Sequence, residues 1–203
     1  MKTEFDDFDF PNWMHPPNRI QLAEFLQSAS VEERHAVALS WNYDQGYEAP
    51  AWICSRPDCD RGTAVRVLWG LHPEFGLEQI LNGAELDGFF KNDADLITLI
   101  VNRALAGNYE IANLSSNGFP LDYEVHEYQQ SLTKLAPEKQ PWKIVAKFMG
   151  QVQGREVDLS GYQGGIPFVL QNRFYEQSVV ENKTPQSELS SGFISKLWKR
   201  FVK

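Results

Sequence analysis

His35–Gly70, HAVALSWNYDQGYEAPAWICSRPDCDRGTAVRVLWG, decides the fold, because its two ends have helical spacing and its middle is dense in Trp, Tyr, Asn and Asp. Just upstream, Ser30-Val31-Glu32-Glu33 has the S-x-x-E form in which a hydroxyl and a carboxylate satisfy orphan amides at a helix start. A helix is therefore predicted from Val31, with Val31, His35, Ala38, Leu39 and Asn42 on one face and Gly46 closing the loop after it. Ala49 to Ser55 suits a short helix stopped by Pro57. Asp58 or Asp60 can cap the next one, whose stripe is Ala64, Val67, Leu68 and Leu71 and which Pro73 terminates.

Outward from this stretch the helical period recurs. Leu22, Phe25, Leu26 and Ala29 stand at i, i+3, i+4 and i+7, ending near Ser30. Residues 1–17 alternate acidic and aromatic positions before a Pro pair and read as an extended arm, with Phe5, Phe8, Phe10 and Trp13 packing on the body. Downstream, Leu77 to Phe90 is weakly helical and broken by Gly83 and Gly88. Asn92 to Ala106 is apolar nearly all round (Leu96, Ile97, Leu99, Ile100, Val101, Leu105) and predicts a central buried helix. A turn-rich loop at Ser115 to Pro120 precedes a seam of Leu121, Val125, Tyr128, Leu132 and Leu135. Pro141 suits the first position of a helix presenting Trp142, Val145, Ala146 and Met149. Gly150 to Pro167 reads as an irregular loop, and Phe168 to Val180 as a last body helix. With no convincing strand pair and no fixed-period repeat, the fold class is all-α, an irregular multi-helix bundle over 18–180.

After a polar linker at 181–192, Phe193, Ile194, Leu197, Trp198 and Phe201 alternate with Lys196, Lys199, Arg200 and Lys203, which predicts a basic amphipathic tail helix. The whole chain carries −8, so setting aside these four cations leaves −12 on residues 1–192. That asymmetry suits a tail docking on the acidic body or on a second copy, a homo-oligomer; attachment to an anionic membrane surface is the alternative. The acidic balance argues against nucleic acid, whose phosphates call for clustered Lys and Arg. Two cysteines among 203 residues, no apolar leader at the N-terminus and no bilayer-length apolar run lead to the expectation of a reduced, cytoplasmic protein.

Chemical motifs are incomplete throughout. Cys54 and Cys59 are spaced C-x4-C, and a zinc site would need two further ligands, with His35 and His72 nearest in sequence. Asp58, Asp60 and Gly62 echo a calcium loop, but Arg61 and Val65 stand where ligands are wanted. His126-Glu127 lacks the second His of H-E-x-x-H, and the Gly161–Gly165 run GYQGG lacks the strand and Lys of a phosphate cradle. No metal and no cofactor is expected. A general base at His35, working with Asp44 and Asp60 as a hydrolase or transferase site, requires residues that spacing alone does not join. The favoured candidates are Trp41, Asn42, Tyr43, Asp44, Tyr47, Trp52, Asp58 and Asp60. If the two helices flanking them are antiparallel neighbours, both loops meet at one end of the bundle in an acidic, aromatic patch suited to a basic protein partner.

His35 with Trp41-Asn42-Tyr43-Asp44 and Gly46, then Trp52-Ile53, then Cys59-Asp60-Arg61-Gly62-Thr63-Ala64 with Trp69, resembles the bacterial family named domain of unknown function 4274, with its N-W/Y-D-x-G and C-D-x-x-T-A segments. The resemblance covers about Val31 to Leu105 and implies a small bacterial helical module; it implies no activity, cofactor or catalytic residue. The expected function is a non-catalytic protein-interaction module, of immunity (toxin-neutralising) or regulatory type.

Overall fold

The computed structural model describes residues 16–171. The extended arm apart from its final Pro pair, the end of the last body helix, the linker at 181–192 and the basic helix at 193–203 lie outside the described residues. The chain is an irregular helical bundle: α1 (Pro16–Ser28), α2 (Val31–Ser40), α3 (Glu48–Ser55), α4 (Arg61–Gly70), α5 (Pro73–Leu81), α6 (Gly88–Leu105) and α7 (Asp122–Leu132). Single 3-10 turns occupy Tyr43–Gln45 and Ala146–Phe148, and a longer 3-10 segment runs over Pro137–Trp142.

The Ser30 capping box forms as expected, Glu33 N donating to Ser30 Oγ at 3.2 Å and Ser30 N to Glu33 Oε2 at 2.7 Å. Pro16 and Pro17 sit in the first turn of α1, where missing amides cost nothing, so the predicted arm loses its last two residues to the helix. The α1 stripe holds, with Leu22 and Leu26 fully buried. So does that of α4, where Ala64, Val67, Leu68 and Leu71 all face the core. α6 is central, touching α3, α4, α5 and the 137–142 segment. Its predicted all-round burial stops at the C-terminal end, where Leu105 faces solvent.

Five expectations are corrected. α2 does not bury the predicted face: Arg34, His35, Ala36, Val37 and Ala38 are consecutive and buried, while Val31 and Leu39 are half-buried and Asn42 is exposed. α3, α4 and a hairpin pack against α2 from several sides, so no single stripe survives. The weakly helical 77–90 resolves into the end of α5, a Gly83 turn at φ 73° and the start of α6. The α7 seam is buried only at Tyr128; Leu121 is exposed and Val125, Leu132 and Leu135 are half-buried. The helix predicted from Pro141 is replaced by 3-10 turns, with Trp142, Ile144 and Phe148 buried instead of Trp142, Val145, Ala146 and Met149. Finally, a strand pair exists. β1 (Tyr162–Gln163) and β2 (Ile166–Pro167) are antiparallel and joined by Gly164 and Gly165 at φ 57° and 81°, the double positive φ of a type I′ turn.

Candidate functional site

The C-x-x-x-x-C-Asp stretch is structural. Asp60 is buried and caps α4, its Oδ1 accepting from Gly62 N at 2.7 Å. Its Oδ2 accepts from Asn113 N at 2.7 Å and Leu114 N at 3.3 Å. A segment more than fifty positions away is thereby pinned to the helix start. Gly62 permits that approach: a Cβ there would lie 2.1 Å from the Leu114 carbonyl oxygen. Thr63 Oγ1 hydrogen-bonds His35 Nδ1 at 2.7 Å. Burial depresses the pKa of His35 to about 4, so this ring is a neutral core group. Cys54 and Cys59 are buried free thiols, and the hydrogen bond to Cys54 together with burial pushes the Cys59 thiol up.

The aromatic loop is built just as locally. Asn42 Oδ1 accepts from Asp44 N at 3.1 Å, and Trp41 Nε1 donates to Gly46 O at 2.8 Å. Gly46 sits at φ 98°, a conformation other residues rarely adopt. Trp41 and Trp52 are buried core, Tyr43 and Tyr47 are half-buried, and Asn42 and Asp44 are exposed. Trp41, Asn42, Gly46, Asp60, Gly62 and Thr63 thus each have a packing or hydrogen-bonding reason to be there. Residues 29–103 match the family model described as Domain of unknown function (DUF4274). No curated protein and no solved structure matches the chain. The stretch read from sequence as 31–105 and the matched DUF4274 range agree to within two residues at each end.

The structure does not join the two loops of the DUF4274 stretch into one patch. Arg34, in the first turn of α2, donates to Asp58 at 2.6 Å, whereas Trp41 to Gln45 follow the last turn of the same helix. α2 and α4 meet start to start, at the His35–Thr63 contact, with α3 running back between them, so the loops lie at opposite ends. Ten residues of helix separate those ends by about 15 Å. Asp58 is tied to Arg34 and Arg56; burial opposes its charge, but the Arg34 hydrogen bond and charge hold its carboxyl below the ordinary range. His35, Asp44 and Asp60 form no relay, since His35 bonds Thr63 and both Asp60 oxygens are taken by main-chain amides.

At the C-terminal end of α2 the loop does border a cavity of about 180 Å³, lined by Tyr43, Leu71, His72, Phe75, Phe90 and Asp93 among others. Phe75 and Phe90 are exposed. Tyr43 and Tyr47 lean together with ring centroids 5.4 Å apart. Asp93 is half-buried and accepts a hydrogen bond from Tyr47; burial raises its pKa against that bond. Burial also raises the Tyr43 and Tyr47 hydroxyls, so both rings stay neutral. Of the candidates read from sequence only Tyr43 lines this cavity, with Tyr47 reaching it through Asp93. Phe75, Phe90 and Asp93 do not stand out in the sequence because they come from α5 and α6; the available signal is a large aromatic on the exposed face of α5 and another in the first turn of α6. No helix among the described residues is long and apolar enough to cross a membrane.

Proposed function

We propose that the chain is a non-catalytic protein-binding module that receives a Lys or Arg side chain of a basic partner in the cavity between the Tyr43 loop, α5 and α6. One observation carries this reading: aromatic rings of Tyr43, Phe75 and Phe90 wall a small cavity that also holds the half-buried Asp93 carboxylate. Ring faces attract a cation and a desolvated carboxylate pairs with it, each more strongly out of water. A volume of about 180 Å³ falls below the roughly 300 Å³ where small-molecule sites begin, so it suits one side chain better than a cofactor. An immunity-type or regulatory protein covering the basic surface of its target, in the cytoplasm, is the concrete form. The buried free thiols of Cys54 and Cys59 support a reducing compartment.

The test is titration of the chain with peptides that differ only in a central Lys, Arg or norleucine. A cationic peptide should bind at least tenfold more tightly than its norleucine twin, and Phe75→Ala and Asp93→Asn should each weaken it about three- to tenfold. Equal binding of the norleucine peptide, or indifference to both substitutions, overturns the reading.

A further inference from the structure

The corner between α4 and α5 assembles a second group of side chains, of which the aromatic cavity shares only His72 at its edge. His72 takes a left-handed conformation, φ 48° and ψ 62°, at the N-cap of α5, and Pro73 and Glu74 follow in the first turn. α7 packs on α5 and brings in Glu124. His72 Nδ1 lies 3.1 Å from Glu74 Oε1 and 4.0 Å from Glu124 Oε1, and one ligand atom from each of the three lies within 4.8 Å of the others. Nitrogen and oxygen ligands bound tetrahedrally at 2.0–2.2 Å stand roughly 3.4 Å apart, so small side-chain rotations close this triangle on an ion. We propose that His72, Glu74 and Glu124 bind a first-row divalent transition metal of the zinc type, with Tyr128 at its inner side.

A buried, unsatisfied polar atom points to a ligand independently of the carboxylates' proximity. Glu74 is only 8% exposed, and its Oε2 is buried without a partner among the described residues. The Tyr128 hydroxyl is also buried and unpartnered among them. It is close enough to Glu74 for that carboxylate to add to burial in pushing its pKa up. Leaving a buried carboxylate oxygen unmatched is costly, and a cation bound to Glu74 offsets that cost. Glu124 is held ready by its own helix start, where its Oε2 accepts from Leu121 N at 2.8 Å and its Oε1 is left turned toward His72. Two carboxylates and a neutral imidazole give −2 against a divalent ion. Arg66 acts on Glu124 only as a distant charge and sits over the Phe119 ring at 4.0 Å. The imidazole selects zinc-like ions over magnesium or calcium, which prefer all-oxygen shells. His72 is half-exposed at 51%, which gives an ion a way in and leaves a fourth position for water.

The full chain, stripped with chelator, is titrated with cobalt(II) and with zinc(II), following cobalt absorption in the visible and heat by calorimetry. One cobalt per chain with strong tetrahedral bands, displaced by zinc, is expected. Glu74→Gln and His72→Ala should each weaken binding tenfold or more, in proteins whose far-ultraviolet circular dichroism matches the parent. Phe90→Ala, on the α6 wall of the aromatic cavity, should leave metal affinity unchanged, so the two proposals fail separately. No saturable binding, or binding that both cluster variants retain, overturns the site.

Discussion

At His35 one side chain couples folding to pH. Its imidazole is buried against Thr63 with Arg155 and Arg66 as nearby cations, and its folded pKa falls to about 4 from 6.5. The unfolded chain therefore takes up a proton as pH drops below 6.5 while the folded chain does not until near 4. Stability from this group is complete above 6.5 and is lost as pH falls through that window, to at most about 3 kcal/mol. His35→Gln, which keeps a hydrogen-bonding partner for Thr63, should flatten the curve: urea midpoints at pH 7 and pH 4.5 should lie closer together than in the parent. A parent and variant with identical pH slopes would show that His35 is not the titrating group. The residue scale was also the most legible in sequence wherever an interaction is local. Ser30 with Glu33 follows from spacing alone, and spacing narrows the cap of α4 to Asp58 or Asp60, of which Asp60 takes it. Nothing in spacing pairs His35 with Thr63, or Asp60 with Asn113, because those contacts exist only after helices dock.

The stripes read on α1 and α4 matched, since an apolar stripe at 3.6-residue spacing requires a core on that side, although α4 buries Thr63, Val65 and Trp69 as well. The 137–149 region did not. Pro141 falls inside the 3-10 segment that begins at Pro137 instead of at a helix start, and Trp142 packs so tightly on α5 that a Cβ on Gly76 would stand 2.8 Å from its ring. The candidate site suffered likewise: its loop chemistry was visible, but the placing of that loop against α5 and α6 was not. The hairpin was signalled by its Gly-Gly pair between apolar ends, a pattern overshadowed by the surrounding polar run. Its role is to cover Trp41: a Cβ on Gly165 would lie 2.2 Å from the Trp41 ring, in a backbone at φ 81°. Gly165→Ala should therefore cost about 2 kcal/mol or more in urea denaturation. Gly161→Ala, with open space around it, should change little.

For the molecule as a whole, net charge sets how a partner arrives. A chain at −8 attracts cations over a distance that salt shortens, so association with a Lys- or Arg-centred basic peptide should slow about tenfold between low and high ionic strength while dissociation changes less. Stopped-flow traces that superimpose across salt would remove electrostatic steering from the picture. The family match ends at 103, yet the body does not end there. Trp69 Nε1 donates to Phe148 O at 2.8 Å, Tyr109 Oη donates to Cys54 O at 2.7 Å, and Gly154 lets the 152–155 segment lie flush on residues 113–114. A gene trimmed to the matched stretch would encode a bundle with its indole and carboxylate anchors severed. The smallest unit worth expressing extends past 155, and domain swaps or fusions drawn at the family border would cut through the hydrophobic interior.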